Sequence, residues 1–464
     1  MNNKVQKKAI NMTEGNAFNI ILRFSLPLLL GNLFQQLYNT VDSIIVGNFV
    51  GKHALAAVGA GFPFMTLMIS FFFGFSVATT VMISQAYGSG NHAKIPKIAN
   101  SVYKAVLIAS IPFTIICYLL AGWMLEIIQV PDDGTLAMGT IYLQIVFLGL
   151  IGTIGFNLNS GLLQGVGDSS SSVRFLILAC IINIILDLFF VIFLKMGVAG
   201  AALATSISQW ASFLLGLVHI QKNYPEISFR PLQVKFDQDI FKESLRLGLP
   251  SALQGSIFSL GAMAYSRIIN NYGTNFIAGF QAAMKIDNFI FMPLDSYSAA
   301  LTSYTGQNAG ARRIDRIKEG RKAGLKIAFI TCLIVCIVLY PLSDFVMRLF
   351  SQESEVIQVG VWYLHSLLPF YFTLAFLFIF NGVLRGVGQM NVPMISSFIS
   401  LWLARVPTAY IISKTLGKRF IFYAMPFGWL MGSIISIIYY AKGNWKKKLL
   451  EKVDDDEQDF EIIS

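Results

Sequence analysis

Twelve long apolar runs punctuate this chain, and each approaches or exceeds the roughly 20 residues a helix needs to cross a bilayer. They fall near 20–47, 54–83, 101–121, 136–157, 173–194, 198–220, 247–270, 276–304, 323–350, 357–382, 392–414 and 421–441. Hydrocarbon admits only backbones that satisfy their own hydrogen bonds, and runs of this length do so as helices. Hydrophobic residues make up 55% of the 464 and charged residues only 13%, outside the usual range for a soluble domain. The expected fold class is therefore an all-α multi-pass membrane protein with about twelve transmembrane helices. The second, seventh and eighth runs exceed what a bilayer requires, which predicts tilt or protrusion.

The net charge of +10 reads as a topology signal and not as a nucleic-acid surface. Lys and Arg concentrate at both termini and at every second junction, notably Lys94, Lys97, Arg230, Lys235, the cluster from Arg312 to Lys326, and Lys442 to Lys452. The intervening junctions hold little: Lys52, Lys195, Arg348, Lys414, Lys418 and Arg419. This asymmetry places both termini in the cytoplasm, in a plasma membrane, the cytoplasmic membrane of a bacterium. The first run is too long for a signal-peptide core and carries Asp42, so no cleavable signal is read. All four cysteines sit inside apolar runs and read as core packing. The acidic stretch Asp454 to Asp459 reads as a solvated end.

The chain also repeats itself. Arg23-Phe-Ser-Leu-Pro27 echoes Arg246-Leu-Gly-Leu-Pro250 at an offset of 223. Gln85 in SQAYG aligns with Gln307 in GQNAG at 222, and Gly161 in GLLQGVG with Gly382 in GVLRGVG at 221. Each half thus has six spans, and six is even, so both halves enter the membrane from one side. The expected architecture is two six-helix lobes, 1–221 and 247–441, related by a pseudo-two-fold axis along the membrane normal. A hydrophilic cytoplasmic linker, 222–246, joins them, and a charged cytoplasmic tail, 442–464, follows. Parallel lobes with a site between them form a transporter architecture.

The polar residues inside the spans are few and patterned. In the first, Asn32, Gln35, Asn39 and Asp42 lie at helical spacings on one face. A carboxylate that deep costs about 2.5–3.5 kcal/mol on insertion scales, so it should face a bundle interior or watery cavity. In the fifth span, Asn183 and Asp187 are four apart on one face. With Asn39, Asn157 and Thr205 nearby, the two acids form a candidate oxygen cage for a hard monovalent cation such as Na+. A proton is the equal alternative, since burial and a like charge both favour the neutral carboxyl. In the eighth span Gln281, Lys285, Asn288 and Asp295 form a second stripe, with a cation and an anion about 15 Å of rise apart. Such a stripe lines water or pairs across to other helices. Gln254 is a further candidate for a cavity lining, and Arg267 and Arg405 read as snorkelling or packed on carbonyls. No nucleotide loop, zinc motif, nucleophile elbow or catalytic cluster is present in the sequence. The chain therefore reads as no enzyme, without cofactor beyond a coupling ion. Its expected partners are small organic substrates and the bilayer, not nucleic acid or nucleotide, and the chain reads as a monomer.

Taken together, Pro27 and Asp42, the turns SQAYGSG and GQNAGAR, the turns LQGVGD and LRGVGQ, and the two six-span halves resemble the multidrug and toxic compound extrusion (MATE) family over about 17–441. That resemblance implies a V-shaped pair of bundles exporting organic, cationic or lipophilic drugs and toxins by secondary antiport against Na+ or H+. It carries a first-lobe cation site onto Asp42, Asn183, Asp187 and Thr205, with Asn157 lining the same pocket. Members with acidic residues on the seventh and tenth spans differ from this chain, which has Gln254 and Asn381 there. Coupling is accordingly expected in the first lobe alone. A lipid-linked oligosaccharide or lipid-precursor flippase of related architecture is the alternative reading, and it would need a broad cationic cavity, for which only Lys285, Arg267 and Arg405 are available.

Overall fold

A computed structural model describes residues 9–230, 233–447 and 449. The acidic tail, and the lysines ahead of residue 9, lie outside the described residues. Among those described, the chain is helical throughout, without strands. Twelve helical segments follow in order: α1 (Ala17–Val50), α2 (Lys52–Gly88), α3 (Lys94–Ile127), α4 (Thr135–Leu148 and Leu150–Gly165), α5 (Ser169–Phe193) and α6 (Gly197–Asn223) make the first six. The second six are α7 (Gln238–Ile269), α8 (Thr274–Gly310), α9 (Ile314–Arg348), α10 (Ser354–Gly386), α11 (Asn391–Thr415) and α12 (Lys418–Lys442). Nine of these are apolar and long enough to span a membrane unaided, ten with the bent pair of α4. The other two, α7 and α8, carry polar and charged residues such as Gln254 and Arg267, and Lys285, Asp287 and Asp295. Large apolar side chains such as Leu119, Phe193 and Ile337 lie exposed, as a lipid-facing surface requires.

Helices run past the apolar limits where their ends are polar: α7 begins at Gln238, not Leu247, and α9 at Ile314, not Ala323. The stretch before α7 docks on α3. Asn100 donates to Ser228 O at 3.1 Å, and Ser101 accepts from the Asp237 amide at 3.0 Å. Two helices break at one repeated place: α4 bends by 44° at Gly149, and α10 passes through a 3₁₀ turn, Leu368–Phe370, 221 residues later.

Contacts group the chain into two compact units. One gathers Pro27–Tyr87 and Asn91–Ala252; the other holds Asn11–Leu26, Gly88–Gly90 and the chain from Leu253. The grouping changes hands inside α1 and α7, at or just after Pro27 and Pro250.

Within each unit the same joint recurs. Ser76 Oγ donates to Asn157 O at 2.5 Å, and Thr80 Oγ1 bridges Ser76 O and Gly161 O, both at 3.1 Å. In the second unit Ser298 donates to Phe378 O at 2.9 Å, and Thr302 bridges Ser298 O at 3.0 Å and Gly382 O at 3.2 Å. The glycines of GLLQGVG and GVLRGVG, read as turns, therefore divide into two kinds. Gly161 and Gly382 are helical and let α2 lie on α4, and α8 on α10; only Gly167 (φ +97°) and Gly388 (φ +79°) form turns. A Cβ on Gly161 would stand 2.5 Å from Ser76 O, and one on Gly382 2.6 Å from Ser298 O. Gly161→Ala and Gly382→Ala are each expected to destabilise by about 1–3 kcal/mol through overpacking. This outweighs the roughly 1 kcal/mol that alanine gains in a helix. Thermal unfolding in detergent reads the loss, and a rise in either melting temperature would count against the joint.

Candidate functional site

The first unit brings three of its helices together around two carboxylates. α1 carries Asp42 one turn before its helix widens into π geometry over Val46–Val50. α5 ends its α-helical part on Asp187 and continues as π helix over Leu188–Phe193. Insertions of this kind interrupt the regular ladder and frequently accompany functional sites. Apolar packing holds both ends in place, since Ile45, Val46 and Val191 share a buried cluster with Ala54, Val198 and Ala201.

Asp187 is wholly buried and Asp42 is 8% exposed. With the Asn183 amide oriented to suit its neighbours, its nitrogen donates to Asp187 Oδ2 at 2.9 Å and its oxygen accepts from the Thr205 amide at 3.2 Å. Tyr38 OH lies 3.4 Å from Thr205 Oγ1. Asp42 Oδ1 and Asp187 Oδ1 are buried without a hydrogen-bond partner among the described residues. The two carboxylates are within Coulombic reach of each other, and among the described residues no cationic side chain is paired with either. Buried carboxylate oxygens left this way are costly unless a proton or a bound cation meets them. Asn183, Thr205 and the two acids are the residues that would hold it, as hard oxygen donors suited to Na+.

A family model described as MatE matches the chain twice, over residues 27–189 and 250–411, at the offsets of the internal repeat. The chain belongs to the MatE family. It is 30% identical over 439 residues to the probable multidrug resistance protein YpnP of Bacillus subtilis (strain 168), covering 95% of this chain and 98% of that one. It is 26% identical over 435 residues to the probable multidrug resistance protein NorM of Thermotoga maritima, covering 92% and 93%. Its fold matches a crystal structure of MATE in complex with MaD3S, with a TM-score of 0.89 at 24% identity over 97% of this chain and 100% of that one. A transporter of the MOP superfamily from Pyrococcus furiosus matches at TM-score 0.85 and 24% identity, over 97% and 98%.

Within this MatE protein the other polar residues fall elsewhere. Gln35 and Asn39 are exposed, and half-buried Asn157 turns its amide back to Thr153 O at 2.9 Å. Gln281, Lys285, Asn288 and Asp295 share the exposed side of α8, and Asp295 lies within Coulombic reach of Arg385. Gln254 is held in a network, donating to Ser397 Oγ at 2.7 Å and Pro393 O at 3.2 Å and accepting from Arg385 at 2.9 Å. Asn381 accepts from Ser436 at 2.7 Å. Arg405 corrects its reading: it is 5% exposed and hydrogen-bonds no carbonyl among the described residues, so it neither snorkels nor caps.

Three residues of consequence went unread in the sequence. Tyr38 sits four before Asp42, on the same helical face, and that spacing was available. Tyr142, buried and within Coulombic reach of both acids, had no local signal. Asp287, 5% exposed, lies on the apolar side of α8, where its two oxygens accept from Tyr363 OH (2.8 Å) and Tyr371 OH.

Proposed function

We propose that this protein is a secondary active antiporter that exports organic, cationic or lipophilic drugs or toxins in exchange for Na+ or H+. The observation that carries the reading is the pair of buried carboxylates, Asp42 and Asp187, each with an oxygen that no group among the described residues satisfies. A pair of buried carboxylates favours a proton or a monovalent cation beside it, and a membrane potential can drive either inward. Each charge crossing 100 mV makes available about 2.3 kcal/mol, roughly a fifty-fold solute gradient. Membership of the MatE family and relatives called probable multidrug resistance proteins support the substrate class. The location that follows is a bacterial cytoplasmic membrane with both termini inside. A pyrophosphate flippase is less well supported, because its cationic candidates do not share one setting: Arg405 is buried while Lys285 and Arg267 are exposed.

Purified protein in liposomes tests this. Ethidium should move against its gradient when, and only when, an opposing Na+ or H+ gradient is imposed, and the effective ion names the coupling species. Ethidium movement indifferent to both gradients would remove the antiport reading.

A further inference from the structure

In the second unit, α9 and α12 each present a stripe that is apolar along its length and cationic at one end. On α9, Ile337, Leu333, Phe329, Lys322 and Lys318 are exposed at steps of four, four, seven and four, all on one helical face. On α12, Leu430, Ile434, Ile438 and Lys442 are exposed at steps of four. Apolar side chains that face outward along a spanning helix meet acyl chains, so the lysines heading each stripe stand at the level of the lipid headgroups.

Arg321 brings the two cationic ends together. Its guanidinium carbon lies 5.0 Å from the ring centroid of Tyr440, on α12, and 5.5 Å from that of Phe380, on α10. Those two rings meet edge to face at 5.3 Å, and Trp445 stacks on Tyr440 at 5.2 Å. Contact with aromatic faces fixes a guanidinium in place without neutralising it. Arg321 Nε has no hydrogen-bond partner among the described residues. The acids of the same stretch of α9 are already engaged, Asp315 by Arg313 at 3.1 Å and Glu319 by Arg316 at 3.5 Å. Among the described residues no carboxylate pairs with Lys318, Arg321, Lys322 or Lys442. Lys318 and Lys322 flank Arg321 on its own helix, and Lys442 follows Tyr440 by two residues. Four cations thus head two lipid-facing stripes with no anion of the described chain to meet them.

We propose that this end of α9 and α12 binds an anionic phospholipid, its phosphodiester met by Lys318, Arg321, Lys322 and Lys442 and its acyl chains lying along the two apolar stripes. Basic clusters beside spanning helices attract anionic headgroups charge by charge, and a guanidinium offers a phosphate two parallel donors. A zwitterionic lipid carries its own cation and gains less. The site asks nothing of the antiporter reading, since it uses neither Asp42 nor Asp187 and serves whatever the chain transports.

Native mass spectrometry of the full chain tests it, with dioleoylphosphatidylglycerol, dioleoylphosphatidylcholine and glycerol phosphate as probes. The first phosphatidylglycerol should bind the wild type about tenfold or more tighter than phosphatidylcholine, and glycerol phosphate should not displace it. Lys318→Gln/Lys322→Gln/Lys442→Gln should weaken that first binding by about a hundredfold, roughly fivefold for each charge, and Arg321→Gln by about fivefold or more. The three lysines are exposed, so their replacement should leave the fold intact even where Arg321→Gln does not. Lys97→Gln/Lys222→Gln/Lys235→Gln removes the same charge from exposed positions of the first unit and should leave the first binding unchanged. Undiminished phosphatidylglycerol binding by the second-unit triple variant would overturn the proposal. So would an equal loss in the first-unit control, which would show attraction to net charge alone. Equal affinity for phosphatidylcholine would show that the apolar stripes hold lipid unaided, and displacement by glycerol phosphate would show a site for soluble phosphate; either also overturns it.

Discussion

Asp42→Asn is expected to collapse ion-driven export, from a gradient of about fifty-fold per charge per 100 mV to none, while the protein still inserts and folds. The amide keeps the shape of the side chain and removes the charge a cation must meet. The same substitution should raise the melting temperature in sodium-free, alkaline buffer, where the wild type holds two buried carboxylates with no counter-ion. An unsatisfied buried polar group costs about 1–3 kcal/mol, more when charged, and the asparagine relieves most of that. Asp187→Asn should lose export equally and gain less stability, because Asp187 Oδ2 already accepts from Asn183 at 2.9 Å. Transport in proteoliposomes and melting curves on the same preparations read both effects. Full export by Asp42→Asn would remove the site; a fall in stability would mean that Asp42 is compensated by the chain itself.

This trade of stability for function explains what was legible in the sequence. An acid inside an apolar run is expensive wherever it points, so Asp42 and Asp187 declared themselves, and their helical spacing to neighbouring polar residues placed them on interior faces. Asn183 and Thr205 followed from spacing and from the family resemblance, and the structure joins Asn183 to Asp187 and the Thr205 amide to Asn183 by hydrogen bonds. The π-helical widening after each acid was not legible, since neither VGNFV at Val46–Val50 nor LFFVIF at Leu188–Phe193 carries a pattern that distinguishes π from α geometry. The second unit misled for a physical reason. The polar stripe of α8 is its exposed side, whereas Asp287 stands among Ala283, Ile286, Ile290 and Leu294 on the buried one. Its compensation comes from tyrosines 76 and 84 residues away, which no local pattern could supply. The repeated glycine motifs were visible, but that they combine helix-packing positions with a single turn position emerged only from the packing.

Gly88→Ala is the packing change with the largest expected cost. Gly88 ends α2 in the SQAYGSG motif, and a Cβ there would stand 1.9 Å from Gln307 O and 2.6 Å from its carbonyl carbon. Both obstacles are backbone, so no side-chain rotation relieves them. Gln307 cannot retreat easily, because it is wholly buried and its side chain accepts from the Met12 amide at 2.9 Å. Asn308 beside it donates to Met12 O at 3.0 Å and accepts from Arg316 Nε at 3.2 Å. Moving the α8 end would disturb all of these. The loss should reach or exceed the top of the usual overpacking range of about 1–3 kcal/mol. Gly90 supplies the control two residues on. It has positive φ (+73°) and open space around its missing Cβ, so Gly90→Ala carries only the left-handed backbone strain of about 1–2 kcal/mol. Thermal unfolding of the two variants side by side separates steric collision from conformational strain. A loss in Gly88→Ala no larger than that in Gly90→Ala would mean that the end of α2 yields, and that the match between SQAYGSG and GQNAGAR reflects turn conformation and not close packing.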